Sequence, residues 1–328
     1  MTVLVTGVAG FIGHFTALAL LQRGERVLGI DNLNDYYDVR LKHARLKRFE
    51  GRNGFTFQKL DIADHRAVMA LKDRYTDIDR IVHLAAQAGV RYSLVNPFAY
   101  MDSNGTGHLA MLEFARYLPG CKHMVYASSS SVYGANAKLP FSVEDRTDRP
   151  ISIYAATKKA CELMSRSYAH LYRVPLTGLR FFTVYGPWGR PDMAAFLFAD
   201  RIMRGEPIEV FNDGDMKRDF TYIDDIVSGI LAALDRPPPD GGQDSPPHRV
   251  YNLGNHRSEE LLHFIELLER ELGRKAKLAM KPMQHGDVKE TYADIAASER
   301  DLGFKPATPI DIGIPRFVEW YKAYRGKK

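Results

Sequence analysis

The chain has 328 residues, 45% hydrophobic and 26% charged, enough apolar material for a sizeable core and, by length, about two domains. Its formal charge of +5 is spread along the sequence rather than gathered in a block, which argues against nucleic acid as a partner and suits a small anionic substrate. Two cysteines, Cys121 and Cys161, exclude a disulfide scaffold and a cysteine-built zinc site, and the eleven histidines show no metal-ligand spacing. The N-terminus lacks a basic leader and is interrupted by Gly7, Gly10 and Gly13, so neither a signal peptide nor an anchor is expected. No apolar run reaches the roughly 18 residues that span a bilayer, so no membrane partner is expected. The expectation is a soluble cytoplasmic protein.

In chain order, the apolar run Val3 to Thr6 leads through a glycine turn into a helical pattern from Phe11 to Arg23. Strand-like runs follow at Arg26 to Ile30, Thr56 to Leu60, Ile81 to Ala85, Met124 to Ser128 and Leu176 to Phe182. Each is short and mostly apolar, with room for a helix before the next. That alternation predicts an α/β domain with a doubly wound parallel (Rossmann) sheet buried on both faces. The regularity ends near Thr183. A helix is expected around Ala194 to Arg204, a strand at Ile208 to Phe211, and an exposed loop from Pro237 to Pro247. Ser258, with Glu259 and Glu260 behind it, predicts a capped helix that stops at Gly273. These C-terminal parts form a smaller α+β piece over the sheet.

Gly7, Gly10, Phe11, Ile12 and Gly13 link the first strand to the first helix. Glycines there let the backbone approach a pyrophosphate, whose charge a helix N-terminus favours. Asp31, followed by Asn32, ends the second strand. A carboxylate at that place accepts from a ribose 2′-hydroxyl and repels a 2′-phosphate, so NAD is favoured over NADP. Asp61 and Ile62 close the third strand, and Leu84, Ala85 and Ala86 the fourth; both fall on the sheet edge where the switch-point rule expects a dinucleotide.

Tyr154 and Lys158 open a helical segment at a spacing of four, which stacks both side chains on one face. A nearby ammonium favours the phenolate of a general base. Upstream, Ser128 to Ser131 bring hydroxyls to the same sheet edge. His83 reads as a satisfied core histidine, Cys161 as a small core residue, and Tyr168 with Tyr172 as core or interface.

With these residues in view, the chain resembles the extended short-chain dehydrogenase/reductase family over essentially its whole length. Gly-x-x-Gly-x-x-Gly, Asp31, Ser129, the Tyr154/Lys158 pair, and Asn104 with Gly107 fall where that family places them. Four longer strings resemble UDP-glucuronate 4-epimerases: Asp31 to Asp38, Ala88 to Ser93 (with Arg91), Arg180 to Ala194, and Gly286 to Asp294. The resemblance implies that Tyr154 takes the sugar 4-hydroxyl proton while hydride leaves carbon 4 for NAD. Lys158 would hold the nicotinamide ribose and Ser129 the 4-oxygen; the 4-keto sugar would turn and take hydride back on its other face. Related dehydratases and a decarboxylase carry acids where this chain has Ser130 and Ser131, so epimerisation is expected.

A uronate substrate would pass through a β-keto acid, which decarboxylates unless its carboxylate is held in an unproductive rotamer. Ser130, Ser131, Thr183 and Arg190 are the candidates for that grip. Arg91 is a further substrate candidate. The resemblance implies diphosphate binding by Arg218 and uridine-ribose binding by Asp287; Gln284 and His285 stand where UDP-galactose epimerases carry a second arginine. The alternatives are UDP-glucose/UDP-galactose epimerisation, a UDP-glucuronate decarboxylase, and a dinucleotide-sensing protein without catalysis. Residues 1–182, joined by about 214–255, are expected to form the NAD-binding domain, with 183–213 and 256–328 the substrate-binding domain. The resemblance also implies a homodimer through the helices around Asn104 to Tyr117 and Tyr154 to Tyr172.

Overall fold

Alternate side chains of the apolar strands supply two separate cores, and this decides the architecture. In the first strand Val3 and Val5 belong to one buried cluster and Leu4 to the other, as expected when successive side chains point to opposite faces of a covered sheet. The structure is a computed structural model, described for residues 1–283 and 288–326.

Strands β1 (Thr2–Thr6), β2 (Arg26–Asp31), β3 (Phe55–Lys59), β4 (Ile78–His83), β5 (His123–Ser129) and β6 (Leu176–Phe181) pair in parallel. Short strands β7 (Thr183–Tyr185), β8 (Pro207–Phe211), β9 (Lys217–Arg218) and β10 (Phe220–Tyr222) follow, and β11 (His248–Leu253) returns to the large sheet, parallel to β6. The seven-stranded order is β11-β6-β5-β4-β1-β2-β3. The chain winds one way from β1 to β3 and the other way from β4 onward, so the β1/β4 boundary is the switch point. β12 (Glu259–Glu260) pairs with β9, and β13 (Lys277–Lys281) with β8.

Helix α1 (Phe11–Gln22) follows the glycine turn, and α2 (Val39–Lys47) and α3 (His65–Arg74) lead into β3 and β4. Two one-turn helices, α4 (Tyr92–Val95) and α5 (Pro97–Tyr100), run through a π-helical turn at Met101–Thr106 into α6 (Gly107–Tyr117). The 20-residue α7 (Ile153–Tyr172) packs on β5 beside α6. Helices α8 (Ala194–Arg204), α9 (Ile223–Leu234), α10 (Leu261–Leu272), α11 (Ala296–Leu302) and α12 (Ile310–Arg325) complete the chain. α1 and α9 pack together on one face of the sheet, and α3, α6 and α7 on the other, while α8, α10 and α12 associate above it.

The sequence places the helix start at Ser258, and this is corrected: α10 begins at Leu261. Glu259 and Glu260 instead extend antiparallel to Arg218 and Lys217, and the Ser258 hydroxyl donates to Glu290 at 2.6 Å rather than capping. Cross-strand pairing outcompetes a local capping signal. Gly273 closes α10 in the left-handed region, as expected (φ 70°). β4 starts and stops earlier than its apolar run suggests, so Leu84 to Ala86 lie beyond the strand in the connecting loop.

Candidate active site

The carboxyl edge of the sheet opens into one cavity of about 640 Å³, lined from the glycine turn to β8. At Gly7 the chain turns with φ 72°, and a Cβ there would stand 2.8 Å from the Ala85 nitrogen. A Cβ on Gly13 would collide with the Gly7 carbonyl. Glycine at both positions therefore lets α1 and the loop after β4 close on the turn. α1 starts with no side-chain cap and no acidic residue in its first turn, leaving its N–H groups and positive dipole end for an anion.

Asp31 is buried at the end of β2 and accepts from the backbone N–H of Ala9 (3.1 Å) and Leu33 (2.8 Å). Lys42 stands 3.9 Å from the Asp31 carboxylate and donates to Asn34 at 2.7 Å; burial pulls the ammonium below its ordinary pKa, against the attraction of Asp31. The N–H groups of Leu84 and Ala85 both reach the Thr6 hydroxyl, which also bonds His83 at 2.8 Å. His83 is thus a satisfied core histidine. These features fit a dinucleotide: a close-packed glycine turn, an uncapped helix start and a carboxylate at the end of β2 share one wall with Asn32, Phe11, Ile12, Ile62 and Ala86. Asp61 departs from this set. It accepts from Asn32 at 2.9 Å on the exposed side of the loop and does not line the cavity.

At the other end, Ser152 caps α7 through Ala155 N–H (3.1 Å), and Tyr154 and Lys158 near the start of that helix line the cavity. Lys158 is 4% exposed and donates to the Ala127 carbonyl at 2.8 Å. Tyr100 packs edge-on to the Tyr154 ring, 5.9 Å between centroids. The Ser129 hydroxyl accepts from Ser131 N–H at 3.2 Å, starting a single 3-10 turn that holds Ser130 and Ser131 in the cavity wall. Asn104 is buried in the π-turn, bonded to Gln87 and Thr157, and Cys161 donates to its carbonyl. Cys161 is a core residue.

Thr183, Arg190, Arg91 and Arg218 line the same cavity. The Arg190 guanidinium is held by Asp192 through Nε (3.0 Å) and Nη2 (2.5 Å), and Tyr36 donates to the same carboxylate at 3.0 Å. Burial works against the Arg190 charge, but Asp192 overcomes it and keeps the guanidinium above its ordinary pKa. Arg91 lies over the Phe211 ring at 4.9 Å, and Arg218 donates to the Lys217 and Lys289 carbonyls. Asp287, with Gln284 and His285, lies outside the described residues. Sequence reasoning missed Lys42, Tyr36 and Asp192. Their only sequence signal is membership of the strings Asp31 to Asp38 and Arg180 to Ala194 or proximity to them, because their roles arise from contacts across the fold.

Residues 3–254 match the model of the NAD dependent epimerase/dehydratase family. The chain belongs to that family. Among relatives in this family, a probable UDP-glucuronate 4-epimerase of Rhizobium meliloti is 48% identical over 98% of this chain and 97% of its own length. UDP-glucuronate 4-epimerase 4 of Arabidopsis thaliana is 48% identical over 99% of this chain and 76% of its own. The structure of UDP-glucuronic acid 4-epimerase from Bacillus cereus, in complex with UDP-glucuronic acid and NAD, matches 99% of this chain and 100% of that one. Its TM-score is 0.89 at 32% identity. NAD is the cofactor of this NAD dependent epimerase/dehydratase, and the glycine turn and Asp31 are the features that fit it.

Proposed function

We propose that this protein is a UDP-glucuronate 4-epimerase, interconverting UDP-glucuronate and UDP-galacturonate through a 4-keto intermediate. The observation that carries the reading is the single cavity that joins the glycine turn, Tyr154 with Lys158, the hydroxyls of Ser129 to Ser131, and Arg190. When bound, NAD supplies a hydride acceptor that is restored each turnover. Tyr154 takes the proton of the sugar 4-hydroxyl and returns it. Lys158, fixed by the Ala127 carbonyl, places its amine one helical turn from Tyr154 to support the tyrosine as base. Ser129 donates to the 4-oxygen. Ser130, Ser131 and Thr183 offer neutral donors to the uronate carboxylate, and Arg190 a charged one; together they hold it in the plane that disfavours loss of carbon dioxide.

In this reading Arg91 and Arg218 serve the nucleotide diphosphate, and Asp287 the uridine ribose. Residues 1–182 with about 214–255 form the nucleotide-binding lobe, and 183–213 with 256–328 cover the sugar. Two copies pair across α6 and α7, which expose Leu109, Tyr117, Leu163 and Leu171. No described helix is long and apolar enough to cross a membrane; both cysteines are free, which fits a reducing cytoplasm. The reading is tested by incubating the protein separately with UDP-glucuronate and UDP-glucose and resolving the products by chromatography. UDP-galacturonate is the expected product; preferential turnover of UDP-glucose replaces the reading with neutral-sugar epimerisation.

A further inference from the structure

Arg45 sits one layer behind the cavity wall, fully buried at 0% exposure. Every donor it uses meets a neutral acceptor. Nη1 donates to the Ala9 carbonyl (2.9 Å) and the Tyr37 hydroxyl (2.7 Å). Nε and Nη2 both reach the Trp188 carbonyl (3.1 and 2.7 Å), and Nη2 also the Gly189 carbonyl (3.2 Å). No carboxylate of the described residues forms an ion pair with it. A buried charge without a counter-ion is costly, and its neighbours show what retains it.

Ala9 is the middle of the glycine turn. Its N–H is held by the Asp31 carboxylate and its carbonyl by Arg45, so the turn is stretched between an anion and a cation. On the other side, Trp188 adopts φ 63°, a region non-glycine residues enter at a cost. Two Arg45 hydrogen bonds sit on the carbonyl of that strained residue, and two residues later comes Arg190. The adjoining Tyr37 lines the cavity, and its neighbour Tyr36 binds Asp192, the partner of Arg190.

We propose that Arg45 is a positioning residue that couples the two halves of the site: its one guanidinium sets both the turn that receives the dinucleotide diphosphate and the loop that presents Arg190 to an anionic sugar. Its charge is balanced by those anions when they bind. The sugar half rests on the uronate reading above; the dinucleotide half does not.

The test uses the full chain carrying Arg45→Met, Arg45→Lys, Arg190→Ala and the double variant Arg45→Lys/Arg190→Ala. Calorimetry gives the affinities for NAD, ADP and adenosine, and initial rates give the preference, kcat/KM for UDP-glucuronate over UDP-glucose. Arg45→Met is expected to weaken NAD and ADP on the order of tenfold or more, the effect of losing a charge-assisted hydrogen bond, with adenosine nearly unchanged. Arg45→Lys keeps the charge but not the fork, loses less affinity for the diphosphates, and decides the matter if Arg45→Met does not fold. Arg190→Ala keeps wild-type NAD affinity and loses the preference; the double variant has no less preference than Arg190→Ala alone. Lowered thermal stability with unchanged NAD affinity and unchanged preference overturns the proposal, as does an equal loss for adenosine and ADP. Wild-type protein that does not prefer UDP-glucuronate refutes the uronate reading instead, and the nucleotide affinities then still decide the role of Arg45.

Discussion

The Arg180 guanidinium grips the Glu162 carboxylate through two hydrogen bonds of 2.8 and 2.9 Å, where neither side chain is more than 4% exposed. Glu162 follows Lys158 by one turn of α7 and also accepts from Ser128 at 2.6 Å. Successive turns of one helix therefore carry Tyr154, Lys158 and Glu162; Lys158 and Glu162 bind β5 through Ala127 and Ser128, and the ion pair ties the helix to β6. Burial alone would raise the Glu162 pKa, but the bonds and charge of Arg180 override it and hold the carboxylate below its usual range.

Glu162→Gln is expected to cost about 3–5 kcal/mol, because it leaves Arg180 charged, buried and without a counter-ion. Urea unfolding measures it. A loss within 1 kcal/mol of zero, by the same scale of magnitudes, contradicts the account of this pair.

Tyr154→Phe is expected to keep the fold and NAD binding while turnover falls by about 10²–10⁴, the range for a general acid/base. Steady-state rates together with the NAD content of the purified variant check it. Near-native activity removes Tyr154 from its role.

Arg190→Ala should raise the KM for UDP-glucuronate about tenfold or more, since a charged hydrogen bond is worth roughly 1.5–3 kcal/mol. It also leaves Asp192 facing the substrate carboxylate with no cation between them. A loosely held carboxylate turns toward the geometry that sheds carbon dioxide, so 4-keto-pentose nucleotide and reduced cofactor should accumulate. Mass spectrometry and absorbance near 340 nm follow both. Clean epimerisation with weak binding would show that Arg190 anchors the sugar without steering it.

Five buried histidines make the fold sensitive to acid. Burial, the largest cause in each case, lowers His14 to about 2, His108 to about 3, and His123 and His248 to about 4, and holds His83 well below its ordinary value. The unfolded chain titrates them near pH 6.5, so between that pH and the folded values it binds more protons than the native state. Stability is therefore present above about pH 6.5 and lost as the pH falls, by up to about 1.4 kcal/mol per histidine per pH unit. Calorimetric Tm should drop clearly between pH 7.5 and pH 5; a flat profile contradicts the burial of these rings as neutral groups.

The glycine turn, Asp31 and the Tyr154/Lys158 pair were legible because their chemistry is local: a strand end, a turn, or two side chains one helical turn apart. Arg45 and Lys42 were not. They lie in α2 with Arg40 and Lys47, just before Arg48, a stretch that reads as a solvated charged face, yet both are buried, Arg45 against the glycine turn and Lys42 beside Asp31. Asp192 stayed hidden for a related reason, since its importance comes from Arg190 and Tyr36, the latter on a loop 156 residues away. The start of α10 was misplaced because strand pairing with β9 is invisible in local pattern, and the hydrogen bond of Asp61 to Asn32, 29 residues away, has no local signal either.

The measurement that tests the central claim most directly is the fate of the hydrogen on carbon 4. UDP-glucuronate labelled with deuterium at that carbon is incubated with the protein in ordinary water, and unlabelled substrate in heavy water. The account predicts UDP-galacturonate that retains the label in the first experiment and takes up no solvent deuterium in the second, because the hydrogen removed is the one returned. Loss of the label to water, or solvent deuterium in the product, would contradict it.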